Sequence, residues 1–326
     1  MKRRDFCTGI GGLTAVGMGA SLVRDWNERS LRAQVFIGRA ASYQADLESI
    51  IGCGLRQLGL SPSWAKGRSV LLKPNLVEPD VGAPQINTHP EVVRAAALIF
   101  RRWGAREVFV AEGPGHCRDA QLVLDESGLR AVLDQSHLEF VDLNHDDVVF
   151  VPNRFGATKL RELALPRTLA RADLIVSLPK LKTHHWVGVT LSLKNFFGVM
   201  PGVVYGWPKN VLHYAGIGPS ILDIAAAVRP HLAIVDGIIG MEGDGPIMGT
   251  PRQAGVLVMG TNLVAVDATC SRLMEIDPWR IGYLREASGL LGPIAERHIE
   301  QRGEAIQDLR QRFQLLDHPL LHALRS

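Results

Sequence analysis

Asp173-Leu174-Ile175-Val176-Ser177-Leu178-Pro179-Lys180-Leu181-Lys182-Thr183-His184-His185 carries the plan of the chain in one stretch. Its first half is an apolar run closed by proline, which reads as a buried strand. Its second half loads ionisable groups onto that strand's carboxyl end. In open α/β sheets this rim is where ligands sit, because loops converge there and helix N-termini point inward.

The same grammar recurs on either side. Strand-like runs at 34–38, 69–72, 107–111, 138–142, 232–235 and 255–259 alternate with helix-like segments near 46–58, 90–103, 220–228 and 262–274. This alternation predicts an α/β fold with a mostly parallel sheet and helices on both faces. Residues 147–167 interrupt it as an irregular or antiparallel insertion. For the helix at 90–103, Thr88 is the expected N-cap, with Glu91 completing a capping box and Gly104 as the stop. From Pro293 the chain turns polar, with Ile299, Ile306, Leu309, Phe313 and Leu316 at roughly helical spacing, which predicts a peripheral C-terminal helix over 293–326.

The beginning differs from the rest. Met1-Lys2-Arg3-Arg4-Asp5-Phe6 precedes a Gly- and Ala-rich apolar run from Thr8 to Val23 and a polar stretch to Arg32. Residues 1–32 therefore read as a twin-arginine-type signal segment, and the protein as exported across the cytoplasmic membrane. No clean cleavage site comes after it, so an uncleaved leader would be the only membrane contact. The main body, 33–292, is then one α/β domain.

With 46% apolar and 21% charged residues among 326, the composition is that of a globular protein. A net charge of +3 gives no basic footprint for nucleic acid. Cys7, Cys53, Cys117 and Cys270 are too scattered to hold an iron–sulfur cluster by local spacing. Neither a Walker loop nor a serine-hydrolase elbow is present.

The residues at the strand ends define the candidate site. Lys73-Pro74-Asn75, Glu112-Gly113, Pro179 to His185 and Asp236-Gly237 all end strands in ionisable residues beside Gly or Pro. Each alone is an ordinary solvated loop. Together they predict one pocket for a small anionic ligand, with Lys73, Asn75, Glu112, Lys180, Lys182, Thr183 and Asn195 binding it. Lys194, set among Leu193, Phe196 and Phe197, must bury its ammonium, so it and His184 are the candidate proton-transfer groups. Adjacent residues of an extended segment face opposite ways, which favours His184 over His185. His116 and His213 are weaker candidates. Gly216-Ile217-Gly218-Pro219-Ser220 offers free backbone N–H groups at a helix start as a second anion feature. Asp236, Glu242 and Asp244, in a glycine-rich run, are candidate ligands of a divalent metal, against the plainer reading of a structural turn.

These motifs resemble the family named domain of unknown function 362, over about Val70 to Ala268. The resemblance rests on Lys73-Pro74-Asn75, Glu112-Gly113, the Lys180 to His184 run, Leu193-Lys194-Asn195, Asp236-Gly237 and Gly243-Asp244-Gly245-Pro246. Many such proteins carry an additional ferredoxin-like segment, whose cysteines this chain lacks. The architecture also resembles, distantly, lactate-racemase-type proteins, which implies acid–base chemistry on an anionic substrate. The leading expectation is an enzyme acting on a small carboxylate or phosphate. A non-catalytic binder of an anion or metal, and a redox accessory protein, are the alternatives.

Overall fold

The computed structural model describes residues 31–79 and 82–325. The leader-like segment lies outside these residues except for Leu31 and Arg32. Among the described residues no helix is long and apolar enough to cross a membrane.

The strands of the described residues run in chain order: β1 Ala33–Arg39, β2 Ser69–Pro74, β3 Glu107–Glu112, β4 Phe140–Asp142, β5 Val148–Pro152, β6 Glu162–Pro166, β7 Leu174–Leu178, β8 Lys180–His184, β9 Gly188–Thr190, β10 Leu232–Glu242, β11 Thr250–Gly260 and β12 Ile299–Gly303. The main sheet has the order β12-β1-β11-β10-β7-β2-β3-β4, with β8 continuing alongside β10 and β9 pairing with β8. Its β10-β7-β2-β3-β4 half is parallel, while β11 pairs antiparallel with both β1 and β10. The fold is thus α/β with a mixed, mostly parallel sheet. Its longer helices cover it: α1 Leu47–Gln57, α2 Pro90–Arg102, α3 Ile217–Val228 and α4 Leu263–Leu273. Two hydrophobic clusters, one on each face, share the sheet between them: Leu71 and Phe109 belong to one, Val70, Leu72 and Val110 to the other. That is the period of two that parallel strands buried on both faces require. The insertion at 147–167 is the antiparallel β5-β6 hairpin.

Three expectations are corrected. The lysine-rich run after Pro179 is not a loop but β8, buried along its whole length. Its charges are tolerated in a strand because their partners come from residues far away in sequence. Asp236-Gly237 likewise does not end a strand: β10 runs on to Glu242 through a register shift between Gly237 and Ile239. The tail forms no long helix. Ile299–Gly303 pairs parallel with β1 as the polar edge of the same sheet, and the short helices Ile306–Leu309 and Pro319–His322 come after it.

The α2 cap also differs from expectation. His89 is the N-cap, its Nδ1 accepting from the Glu91 N–H at 3.2 Å. The Thr88 hydroxyl instead donates to the Leu178 carbonyl at 2.6 Å and accepts from the Asn75 N–H at 2.8 Å, tying the ends of β7 and β2 together. Gly104 does close the helix, at φ 78°.

One turn that shapes the site is fixed by backbone contact. A Cβ on Gly245 would lie 2.1 Å from the Thr183 carbonyl oxygen. The Gly245 carbonyl accepts from the His185 N–H at 3.0 Å, so the turn cannot back away without losing that bond. Gly245→Ala is expected to cost about 1–3 kcal/mol, as overpacking against a fixed neighbour does. Urea denaturation checks this; an unchanged midpoint would show that the turn can shift freely.

Candidate functional site

A cavity of about 480 Å³ opens at the carboxyl rim of the parallel strands. Asn75 lies just past β2, Glu112 ends β3, His184 ends β8, and Asp244 and Pro246 lie just past β10; all line it. The excursion between β8 and α3 contributes His185, Trp186, Thr190, Lys194, Asn195, Phe197, Gly198, Pro208, Lys209 and His213. Leu76, Val77, Ile247 and Met248 make one side apolar.

Lys73, Lys180 and Lys182, expected to hold the anion, do not line the cavity. All three are fully buried and already engaged. The Lys73 ammonium pairs with the Glu112 carboxylate and lies 3.3 Å from Asn195 Oδ1. Burial pushes Lys73 down and Glu112 up. Asn195 Nδ2 donates to the Lys73 carbonyl and to Ser177 Oγ, both at 3.0 Å, so Asn195 joins β2 to β7 beneath the cavity. Lys180 donates to Asp236 Oδ2 at 2.6 Å and to the Tyr43 hydroxyl at 2.9 Å. Lys182 donates to the backbone carbonyl oxygens of Ile86, at 2.7 Å, and Pro246, at 3.3 Å. Burial first, then the charges of Lys180 and Lys194, hold Lys182 far below an ordinary lysine. Its role is therefore to brace the wall. Thr183, on the other face of β8, donates to the Gly243 carbonyl at 3.0 Å and so holds the turn bearing Asp244.

The expected metal ligands separate. Asp236 is saturated by Lys180, Tyr43 and the N–H groups of His89 and Ile238. Glu242 accepts from the Gln314 N–H at 2.9 Å and anchors the tail. Of the three, Asp244 alone reaches the cavity. Among the described residues no three His, Cys, Asp or Glu side chains gather as a cation site. Gly216 to Ser220 begins α3 and does not line the cavity either.

Lys194 is different. It lies part-buried in the cavity wall, its Nζ 4.8 Å from the centre of the Phe197 ring, with no hydrogen-bond or ion-pair partner among the described residues. Burial, with the Lys73 charge adding to it, brings Lys194 down to about 8. Two buried oxygens of residues that line the same cavity, Asn75 Oδ1 and Thr190 Oγ1, also lack a partner there. A buried polar atom is normally satisfied, and these two oxygens sit beside the cavity rather than open to it. Lys209 faces the cavity too, burial bringing it down to about 7, but its Nζ donates to Asn144 Oδ1 and to the Met200 carbonyl.

The adjacent histidines both line the cavity, because β8 ends at His184 and the chain turns at His185, so strict alternation no longer applies. Their tautomers are complementary. His184 Nδ1 accepts from the Trp186 N–H at 3.1 Å, which puts its proton on Nε2. Burial, with Lys194 the largest charge effect, holds His184 well below an ordinary histidine, so it is a neutral donor. His185 Nδ1 lies 2.9 Å from Asp244 Oδ1 and donates to it, so in the neutral ring Nε2 is the acceptor. The two rings sit 4.9 Å apart.

The turn carrying Lys194 and Asn195, the 3-10 helix Lys194–Val199, is held by Asp267 of α4. This carboxylate accepts from the N–H groups of Ser192, at 2.8 Å, and Leu193, at 3.1 Å, and from the Ser192 hydroxyl. With no cation paired to it among the described residues, burial raises Asp267 to about 7. Against an unfolded value near 3.9, the native state holds a proton that the unfolded chain has released. Its contribution to stability is thus full below about pH 4 and is lost as pH rises toward about 7. Asp267→Asn is expected to flatten the stability change between pH 5 and pH 8. A variant keeping the wild-type slope, measured by denaturant midpoints, would contradict this.

Sequence reading missed Thr190, Lys209 and the pairing of His185 with Asp244, and gave His116 and His213 too little weight, since both line the cavity. The only signal was composition: a Lys- and His-bearing segment between strands and rich in Trp, Phe and Gly.

Residues 70–272 match the family described as domain of unknown function 362. The thylakoid-associated protein sll1697 of Synechocystis sp. is 30% identical over 247 residues, covering 74% of each chain. The lactate racemase apoprotein from Thermoanaerobacterium thermosaccharolyticum aligns with a TM-score of 0.39 and 14% identity over 64% of this chain, which spans about half of that longer one, 51%.

Proposed function

The chain belongs to the domain of unknown function 362 family, and on that premise we propose that the rim cavity is the active site of an acid–base enzyme acting on a small carboxylate- or phosphate-bearing substrate. The single observation that carries this reading is Lys194, a cavity-facing amine without a counter-ion among the described residues. An anion would supply the missing partner, and a lysine near 8 exchanges protons close to a working pH. Lys209, whose Nζ is held by Asn144 and the Met200 carbonyl, has a third ammonium N–H for the anionic group. His184 offers an Nε2–H to a substrate oxygen, and His185, oriented by Asp244, accepts a proton. The apolar wall of Leu76, Val77 and Ile247 favours a substrate with a carbon skeleton over inorganic phosphate.

Ligand-observed NMR of small carboxylates and phosphate esters in D₂O tests this, reading binding and loss of an acidic C–H signal together. The expected result is at least one anion that both broadens and exchanges. Broadening without exchange would favour a binding protein, and neither effect would remove the anion reading.

Arg3 and Arg4, with Phe6 and the apolar run after them, support export by the twin-arginine route. Retention of an Arg3→Lys, Arg4→Lys variant inside the cell is the expected result; unchanged fractionation would oppose it.

A further inference from the structure

We infer that Lys194 is a covalent nucleophile, forming an imine with the carbonyl carbon of a small aldehyde or ketone that also carries an anionic group. The inference rests on the active-site reading above and narrows its substrate class. Five nearby features lead to it.

First, Lys194 Nζ makes no hydrogen bond or salt bridge within the described residues, so no acceptor there holds it in the ammonium form. Lys73, Lys180 and Lys209, by contrast, are each held by side-chain or carbonyl acceptors. Second, the surrounding charges oppose protonation: Lys73 acts on Lys194, and Lys194 in turn is among the charges acting on Lys182 and His184. A desolvated lysine beside another cation is the arrangement that makes an amine nucleophilic near neutral pH. Third, the Phe197 ring, 4.8 Å from Lys194 Nζ, shields one side of the amine from water, which favours an imine over its hydrolysis. Fourth, His184 presents an Nε2–H donor in the same cavity. Fifth, Lys209 lines the same cavity, and its ammonium form has a third N–H, beyond the two held by Asn144 and Met200, to offer the substrate's anionic group.

The step balances. The Lys194 nitrogen pair attacks the carbonyl carbon, forming a C–N bond while the π pair moves to oxygen, which takes a proton as the nitrogen releases one of its two. The carbinolamine then loses its hydroxyl as water: the C–O bond breaks with protonation of the oxygen, and the nitrogen gives up its remaining proton to His185 Nε2 or solvent. Amine and carbonyl become imine and water, with no oxidant or reductant. With Lys194 bonded to substrate, proton transfer at the neighbouring carbon falls to the His185–Asp244 pair.

Reductive trapping tests this on the full-length wild-type protein. Glyoxylate or pyruvate is supplied with cyanoborohydride at pH 7 to 8, and adducts are located by peptide mass spectrometry. Exposed Lys66 and Lys159 are internal references. The neutral fraction of an amine near 8 exceeds that of an ordinary lysine by roughly a hundredfold in this range, so Lys194 should be labelled about tenfold faster or more. Lys194→Arg should lose that labelling without gaining it elsewhere. Labelling of Lys194 no faster than of Lys66 and Lys159, or labelling concentrated on Lys209, overturns the inference. If Lys194-dependent hydrogen exchange on a substrate persists in that case, the acid–base reading stands while the covalent one falls.

Discussion

Lys194→Met is expected to abolish turnover by about 10² to 10⁴-fold, the usual worth of a positioned proton-transfer group, and to leave the protein at least as stable as before. The two halves come from one fact. Lys194 makes no hydrogen bond or ion pair among the described residues, and its part-buried ammonium costs desolvation. Replacing it with an apolar chain of similar length should therefore raise the unfolding midpoint slightly, the trade expected where function holds a destabilising group. A stability-neutral loss of activity would also fit. Lost stability together with activity would show that Lys194 is structural. The pH profile adds a check on sign: because the neutral amine is the acting form, wild-type activity should rise as pH increases through about 8. Residual activity in the variant should lack that limb.

Lys73→Met should do the opposite. It strips the ion-pair partner from Glu112, which is 1% exposed and packed so closely on Gly198 that an added Cβ would fall 1.8 Å from Glu112 Oε1. Breaking a buried pair from one side costs about 3–5 kcal/mol, because an uncompensated charge remains. Glu112 accepts from the Gly113 N–H at 3.0 Å, which eases but does not replace a counter-ion. Adding Glu112→Leu should restore part of the loss by removing the stranded charge. Chemical denaturation of the two single variants and the double variant decides the matter. Additive losses would mean that the pair is not coupled.

The contrast between these lysines explains how far the sequence could be read. Apolar runs such as Leu174 to Leu178, punctuated by Pro and Gly, gave the strands and the rim, since buried parallel strands leave a strong local pattern. The placement of Asn75, Glu112, His184 and Asp244 at one cavity came from that topology. What each lysine does was not legible. Lys180 and Lys194 look alike in sequence, yet Asp236, 56 residues away, neutralises one and no described residue neutralises the other. Lys209 and His213 were obscured because they come from an excursion rather than a strand end. The edge strand Ile299–Gly303 was obscured because its polar side chains carry no apolar alternation.

Most depends on Lys194 keeping an unpaired amine for a ligand in the cavity. Heteronuclear NMR of the lysine Cε resonances, assigned with Lys194→Arg, measures it directly. The expected midpoint for Lys194 is near 8, moving upward when a carboxylate ligand fills the cavity. A midpoint in the ordinary lysine range, about 10.4, unmoved by any anion, would contradict it.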